Sequence, residues 1–181
     1  MDKATCQGFT DESSWARGQA WGLYGYILCY RYTKNIKFLN FAEKIANYML
    51  KHPNLPEDLI PIWDYNVVDE GLVPEWKYDV SDYPEIPRDV SAAAITASAL
   101  YELSTYSSNR QEYRDAADKI VNSLLSDDYL SIHGKNKYFI LNHSVGSIPH
   151  QAEIDVPLVY ADYYLLEALY RKGKINSGEK F

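Results

Sequence analysis

The chain has 181 residues, the size of one domain, and its 46% hydrophobic and 24% charged content is globular, which excludes a disordered or collagen-like polymer. No apolar run approaches the roughly 18 residues of a membrane span, and residues 1–8 hold no apolar signal core, so the chain reads as neither membrane-spanning nor signal-bearing. A net charge of −7, from 18 Lys+Arg against 25 Asp+Glu, speaks against a nucleic-acid partner, because phosphate binding rests on clustered cations.

Five helices are predicted, over 14–33, 36–51, 90–106, 110–126 and 156–171. Asp89 suits the N-cap of the third, Ser108 or Asn109 that of the fourth, and Pro157 the first turn of the fifth. The second repeats Phe38, Ala42, Ile45 and Met49, and the fourth repeats Tyr113, Ala117, Ile120 and Leu124. Both are one-faced helices with a wet side. The first, third and fifth are apolar nearly all round. Arg17 and Arg31 are the only charges between Trp15 and Tyr32, Glu102 the only one between Val90 and Tyr106, and Asp162 and Glu167 the only ones between Val156 and Tyr170. Such helices must be covered on most sides. Gly18, Gly22 and Gly25 in the first imply close backbone approach, since each costs roughly 1 kcal/mol against Ala.

The order buried, wet, buried, wet, buried is that of two and a half helical hairpins, as in an inner-and-outer toroid or a helical solenoid. Links from buried to wet helices are short (34–35 and 107–109). Links from wet to buried helices are long (52–88 and 127–155), and both emerge at the N-terminal ends of the buried helices. Long structured loops are usually functional, which places the active face at that end. A short strand is expected over 137–141, and a polar tail from Lys172.

The candidate chemistry is polar rather than metallic. His52, His133, His143 and His150 show no metal-ligand spacing, Cys6 and Cys29 form no redox pair, and no phosphate loop is present, so no cofactor or metal is expected. Cys29 reads as a small core residue. Arg17 and Trp21 share a helix face. A cation in so apolar a helix needs a partner, which is either a carboxylate of this chain, such as Asp89 or Asp155, or an anionic ligand with Trp21 as a stacking platform. Asp162 and Glu167 read as paired structural carboxylates, and Asp64, among aromatics, is a candidate for a cleft wall. The 17 tyrosines fit either a large helical core or an aromatic sugar cleft.

The run Ser13-Ser14-Trp15-Ala16-Arg17-Gly18-Gln19-Ala20-Trp21-Gly22-Leu23-Tyr24-Gly25 resembles the signature of glycoside hydrolase family 88, the unsaturated glucuronyl hydrolases. The stretches at 60–65, 88–95 and 155–169 resemble the same family, in its order. The related unsaturated rhamnogalacturonyl hydrolases carry a signature closer to RGNGW, which Gln19-Ala20 does not match. The resemblance implies an all-α fold, a partial (α/α)6 barrel showing about five of twelve helices and corresponding to the C-terminal half. It also implies a substrate, an oligosaccharide ending in a 4,5-unsaturated uronic acid. In the family an aspartic acid protonates C4 of the enol-ether double bond, water adds at C5, and the hemiketal collapses to release the sugar. The family's aspartate pair lies before the signature, so this chain is expected to bind without supplying the acid. By resemblance Gln7, Arg17 and Trp21 contact the unsaturated sugar, and the loop around Ser144 and Ser147 closes over it. The rival reading is a non-catalytic sugar-binding or self-associating fragment. Open flanks on the first helix (Trp15, Leu23, Tyr26, Tyr30) and the fifth (Leu158, Tyr163, Leu166, Tyr170) point to a homodimer.

Overall fold

The computed structural model describes residues 4–179, apart from the side chain of Val80. Five helices carry the fold: α1 (Ala16–Thr33), α2 (Ile36–Leu50), α3 (Val90–Tyr106), α4 (Arg110–Leu124) and α5 (Val159–Ser177). The described residues hold no β-strand longer than an isolated bridge.

Local chemistry sets the ends. Asp89 accepts from the Ser91 and Ala92 N–H groups and caps α3. Asn35 caps α2 by accepting from the Lys37 N–H. Between α1 and α2, Lys34 adopts a left-handed φ of 55° and donates its N–H to the Tyr30 carbonyl, so the chain reverses in two residues. Asn109 stands at the N-cap of α4 but makes no side-chain bond there.

Helix α3 lies between α1 and α5, with α4 packed behind α3 and α2 behind α1. The inner layer α1–α3–α5 and outer layer α2–α4 are the alternation the charge pattern implies. Burial departs from that expectation. α3 buries fifteen of its seventeen residues, but α1 buries five of eighteen and α5 four of nineteen, no more than the outer helices. The reason is geometric: α3 has helices on three sides, whereas α1 and α5 form the edges of the inner layer.

A polar staple crosses that layer. Glu102 on α3 is fully buried and takes Arg31 from α1 and Arg171 from α5, the latter at 3.1 Å. Arg171 also meets Glu167, which accepts from Tyr24 at 3.0 Å.

Several sequence expectations are corrected. Cys29 is exposed, because its position turns away from α3. Residues 136–138 form a 3-10 turn, with only Leu130 and Leu141 bridged, since three successive left-handed residues (Asn136, Lys137, Tyr138) cannot extend as a strand. Leu158 caps α5, so Pro157 precedes the helix, and α5 continues through Lys172 to Ser177 before Gly178 ends it. Of the three glycines in α1 only Gly18 is tightly approached, by the Trp15 ring; a Cβ there would meet it at 2.7 Å. Leu23 and Leu158 are buried and belong to no open flank.

The long links and the N-terminal segment weave together at the N-terminal ends of α1, α3 and α5. Ala16 donates to the Trp63 carbonyl, Tyr65 to Ser14, Trp63 to Pro87, Asp89 to Pro61 and Val90 to His143. This layer has a small core of its own, Phe9, Trp63, Val145 and Ile148, edged by Trp76 and Tyr78. No helix among the described residues is long and apolar enough to cross a membrane.

Candidate active-site pocket

At this woven end a cavity of about 370 Å³ is lined by Gln7, Arg17, Gly146, Ser147, His150, Ala152, Glu153 and Tyr160. Three segments supply it. The N-terminal loop brings Gln7, the first turns of α1 and α5 bring Arg17 and Tyr160, and a hairpin brings the rest. That hairpin is pinned by the Ser144–Val156 and Ser147–Ala152 bridges. Gly146 is required there, because a Cβ would fall 2.6 Å from Glu153.

Arg17 is 4% exposed and fixed from several directions. Its Nη1 donates to Asp89 Oδ2 at 3.0 Å and to the Val145 carbonyl, and its Nη2 donates to the Gly146 carbonyl. The guanidinium lies 4.8 Å from the Trp15 ring centre and 5.6 Å from that of Tyr160. Of the two partners open at the sequence level, the structure supplies the carboxylate, Asp89. Because Asp89 also caps α3 through Oδ1, one side chain sets both the helix start and the cation. These bonds leave the Arg17 Nε–H and one Nη2–H, two of the five guanidinium donors.

Other sequence candidates divide. Gln7 and Ser147 line the cavity, and Ser147 Oγ lies 2.6 Å from His150 Nδ1. Trp21 lies one turn beyond Arg17, 36% exposed and edge-on to Tyr164 at 5.2 Å, and is not part of the cavity lining. Ser144 is fully buried and absent from the lining; it and Ser147 are both bridged in the same hairpin, but, an odd number of residues apart, they face opposite sides of it. Asp64 forms no cleft wall. It is fully buried and accepts from the Phe9 N–H, the Ser13 hydroxyl and the Asn66 N–H, fastening the N-terminal loop; burial raises its pKa against the pull of those bonds. Asp162 accepts from the Ile140 and Leu141 N–H groups, holding a loop rather than pairing with a cation.

Sequence reading missed His150, Glu153 and Tyr160. Tyr160 had a signal, since Tyr160 and Tyr164 repeat on α5 the four-residue step of Arg17 and Trp21 on α1. Burial raises the Tyr160 pKa, so it remains a neutral hydroxyl.

Two larger clefts are poorer places for an acidic sugar. One of about 540 Å³ on the outer side is walled by Asp58, Asp115, Asp118 and Asp128 against a single lining cation, Lys119, a net negative wall that disfavours an anion. Another of about 520 Å³, bounded by Tyr83, Arg88 and Tyr129, holds the exposed His143–Asp155 pair. No group of three or more His, Cys, Asp or Glu that could hold a metal occurs among the described residues.

Helical hairpins in two layers, with the long links woven across one end, define a segment of an all-helical α/α barrel. No protein-family profile matches the chain. It is 51% identical over 173 residues to an unsaturated glucuronyl hydrolase of Formosa agariphila, covering 94% of this chain and 39% of that protein. A crystal structure of an unsaturated glucuronyl hydrolase specific for heparin superposes with a TM-score of 0.87 at 48% identity, over 98% of this chain and 44% of the other. A Streptococcus agalactiae unsaturated glucuronyl hydrolase, complexed with dGlcA-GalNAc6S, matches at TM-score 0.76 and 32% identity, over 95% of this chain and 42% of the other. The chain belongs to the unsaturated glucuronyl hydrolases, glycoside hydrolase family 88, and matches the C-terminal portion of its relatives. It spans about two fifths of the length of the curated relatives.

Proposed function

We propose that this chain binds the 4,5-unsaturated uronate end of a lyase-generated oligosaccharide and does not supply the general acid for its hydration. The observation that carries the binding reading is Arg17. It is a buried guanidinium held rigidly at the wall of a polar cavity, with Gln7, Ser147 and His150 in the same lining. A fixed guanidinium fork suits a planar carboxylate, and pre-orientation by Asp89 and two carbonyls lowers the ordering cost of binding. Trp21 and Tyr164 offer aromatic surface to the sugar beyond.

The aspartates close to Arg17 are both engaged elsewhere. Both oxygens of Asp89 are bonded, and Asp64 is sealed behind the N-terminal loop. A general acid must hold a transferable proton within reach of the reacting carbon, and neither group does. Glu153 at the rim is the remaining carboxylate, exposed and unrestrained by any ion pair in the pocket.

Val159, Tyr163, Leu166 and Tyr170 form an exposed stripe on α5, which supports self-association as part of this reading. A two-fold dimer covering it buries more than about 2,000 Å² in total if it resembles a cut core.

Calorimetric titration with an unsaturated glucuronyl disaccharide tests the binding. Arg17→Ala weakens affinity by at least about tenfold, the loss of one charge-assisted hydrogen bond, and Arg17→Lys is intermediate because it lacks the fork. Equal affinity for wild type and Arg17→Ala makes Arg17 a structural cation and refutes the reading.

A further inference from the structure

The hairpin that builds the Arg17 cavity carries a second titratable pair at its base. His143 Nδ1 lies 2.6 Å from Asp155 Oδ1. Both residues line the cleft of about 520 Å³, together with Tyr83, Arg88 and Tyr129. Neither lines the Arg17 cavity, to which the same hairpin gives Gly146, Ser147, His150, Ala152 and Glu153. The cleft falls within the range of about 300–1,000 Å³ that small-ligand sites occupy.

The backbone fixes this pair. Between the Ser144–Val156 and Ser147–Ala152 bridges, Val145 and Gly146 on one strand face Glu153, Ile154 and Asp155 on the other. The extra residue is a β-bulge, and bulges re-aim side chains. Glu153 and Asp155 both hold a left-handed φ of 54° and lie at most about 7 Å apart along the chain, yet they line different clefts. His143 is left-handed as well, at 62°. Its carbonyl accepts from the Val90 N–H at the start of α3, and the flanking Asn142 and Ser144 N–H groups donate to Tyr129 and Val156. A left-handed residue other than glycine persists where its surroundings fix it, and here three segments do so.

The polar groups of the cleft are only partly used. Among the described residues, His143 Nε2 and Asp155 Oδ2 have no partner beyond their own pair. Arg88 donates through Nη1 to Asp58 and to the Ile60 carbonyl, which leaves its Nε–H and Nη2–H groups. Tyr129 is a buried wall, edge-on to His143 at 6.3 Å, with its hydroxyl donated to Asp58 at 2.6 Å. Tyr83 is half-buried and stacked on Tyr78. The lining also holds Glu85 and Asp128, so that with Asp155 its carboxylates outnumber its cations and an anion is disfavoured.

We infer that this cleft is a second saccharide site, separate from the Arg17 cavity, that takes an uncharged sugar ring. Sugar hydroxyls both donate and accept, and the cleft answers both. With Nδ1–H given to the carboxylate, His143 offers Nε2 as an acceptor, Asp155 Oδ2 is a second acceptor, and Arg88 donates. The rings of Tyr83 and Tyr129 suit the apolar C–H surface of the sugar. The inference does not rest on the uronate reading and stands even if Arg17 is a structural cation. It gives one hairpin two sites, an acidic sugar toward its tip and an uncharged one at its base.

The test uses the full 181-residue chain, with the imidazole NMR signals of its four histidines as reporters. Methyl α-glucoside and N-acetylglucosamine are the uncharged probes, glucuronate and glucosamine the charged ones. His143 lines this cleft and His150 the other, so the signal that moves locates the sugar. The His143 signal is assigned by its loss in His143→Asn, since Asn tolerates the left-handed backbone. The expected result is a saturable shift of His143 with an uncharged probe while His150 stays. Asp155→Asn, read at His143, and His143→Asn, read by saturation transfer to the sugar, each weaken that probe by about fivefold, the loss of one hydrogen bond. The remaining histidine signals check that each variant is folded, and either variant alone decides. No saturable shift of His143 with either uncharged probe overturns the inference, as does movement of His150 in its place or wild-type affinity in a folded variant. Glucuronate binding as tightly as the uncharged probes overturns it too, and glucosamine binding more than about tenfold tighter reduces the cleft to an acidic patch. A saturable His143 shift in a chain that does not bind the unsaturated disaccharide supports this site while refuting the Arg17 reading.

Discussion

Helices α3 and α5 are written in nearly the same alphabet and meet different fates. α3 carries one charge, Glu102, in seventeen residues. α5 carries Asp162 and Glu167 through Tyr170 before its basic last turns. α3 is sheathed by α1, α4 and α5, and even its serines are buried. α5 covers only the side that meets α3 and leaves Val159, Tyr163, Leu166 and Tyr170 more than half exposed. Their 4-3-4 spacing is one continuous stripe. An apolar helix therefore announces that it will be covered, not what covers it. For α3 the cover lies within these residues, and for the outer side of α5 none lies among the described residues.

The contrast can be broken most severely at the polar centre of α3. Glu102→Ala leaves Arg31 and Arg171 without their shared carboxylate inside the inner layer, and is expected to cost about 3–5 kcal/mol of unfolding free energy in denaturant titration. A loss below about 1 kcal/mol shows that water reaches these groups and that α3 is less sheathed than described. In the apolar part, Leu100→Ala opens a cavity at a fully buried site and costs about 2–5 kcal/mol by the same measurement.

On α5 the same measurement should barely move. Leu166→Glu changes monomer stability by less than about 0.5 kcal/mol at high dilution, as an exposed substitution does. At high protein concentration it abolishes self-association in sedimentation velocity. A wild type that stays monomeric at 20.8 kDa under those conditions removes the second copy as the cover.

The smallest effect concerns the link between the layers. Burial lowers the His52 pKa from its ordinary 6.5, with Asp69 and Asp64 opposing, while the ring packs against Tyr48 and Tyr65. As pH falls through 6.5 the unfolded chain takes up this proton before the folded one does. The stability contribution is therefore complete above that pH and declines below it. His52→Gln flattens the stability profile between pH 7 and 5, and an unchanged slope assigns the decline to other groups.

Much of this architecture was legible in the chain. Helix bounds followed from caps and breakers such as Asp89 and the 34–35 turn, and the layers followed from where charges were absent. The end that carries the candidate cavity matched the expectation from the unequal links, both of which meet at the N-termini of the inner helices. Burial of α1 and α5 was not legible, because it depends on what neighbours exist rather than on the helix itself. The same holds for Ser144 and Ser147, both bridged in one hairpin: three residues apart they face opposite ways, and only the seating of the hairpin on the helices decides which one reaches the cavity. Arg17 announced a partner, and Asp89 was named as one candidate. What sequence could not give was the clasp by the Val145 and Gly146 carbonyls, because a hairpin more than a hundred residues away supplies it. His150 and Glu153 escaped for the same reason.

One measurement reaches the central claim, that this chain is the binding part of an unsaturated glucuronyl hydrolase site. The wild-type chain is titrated with an unsaturated glucuronyl disaccharide while the heat of binding and the ultraviolet absorbance of the sugar's conjugated double bond are recorded together. The account predicts saturable heat, lost in Arg17→Ala, with the absorbance unchanged. Absence of saturable binding, or bleaching of the double bond at a rate within about tenfold of a complete homologue, roughly 1.4 kcal/mol in barrier, contradicts it.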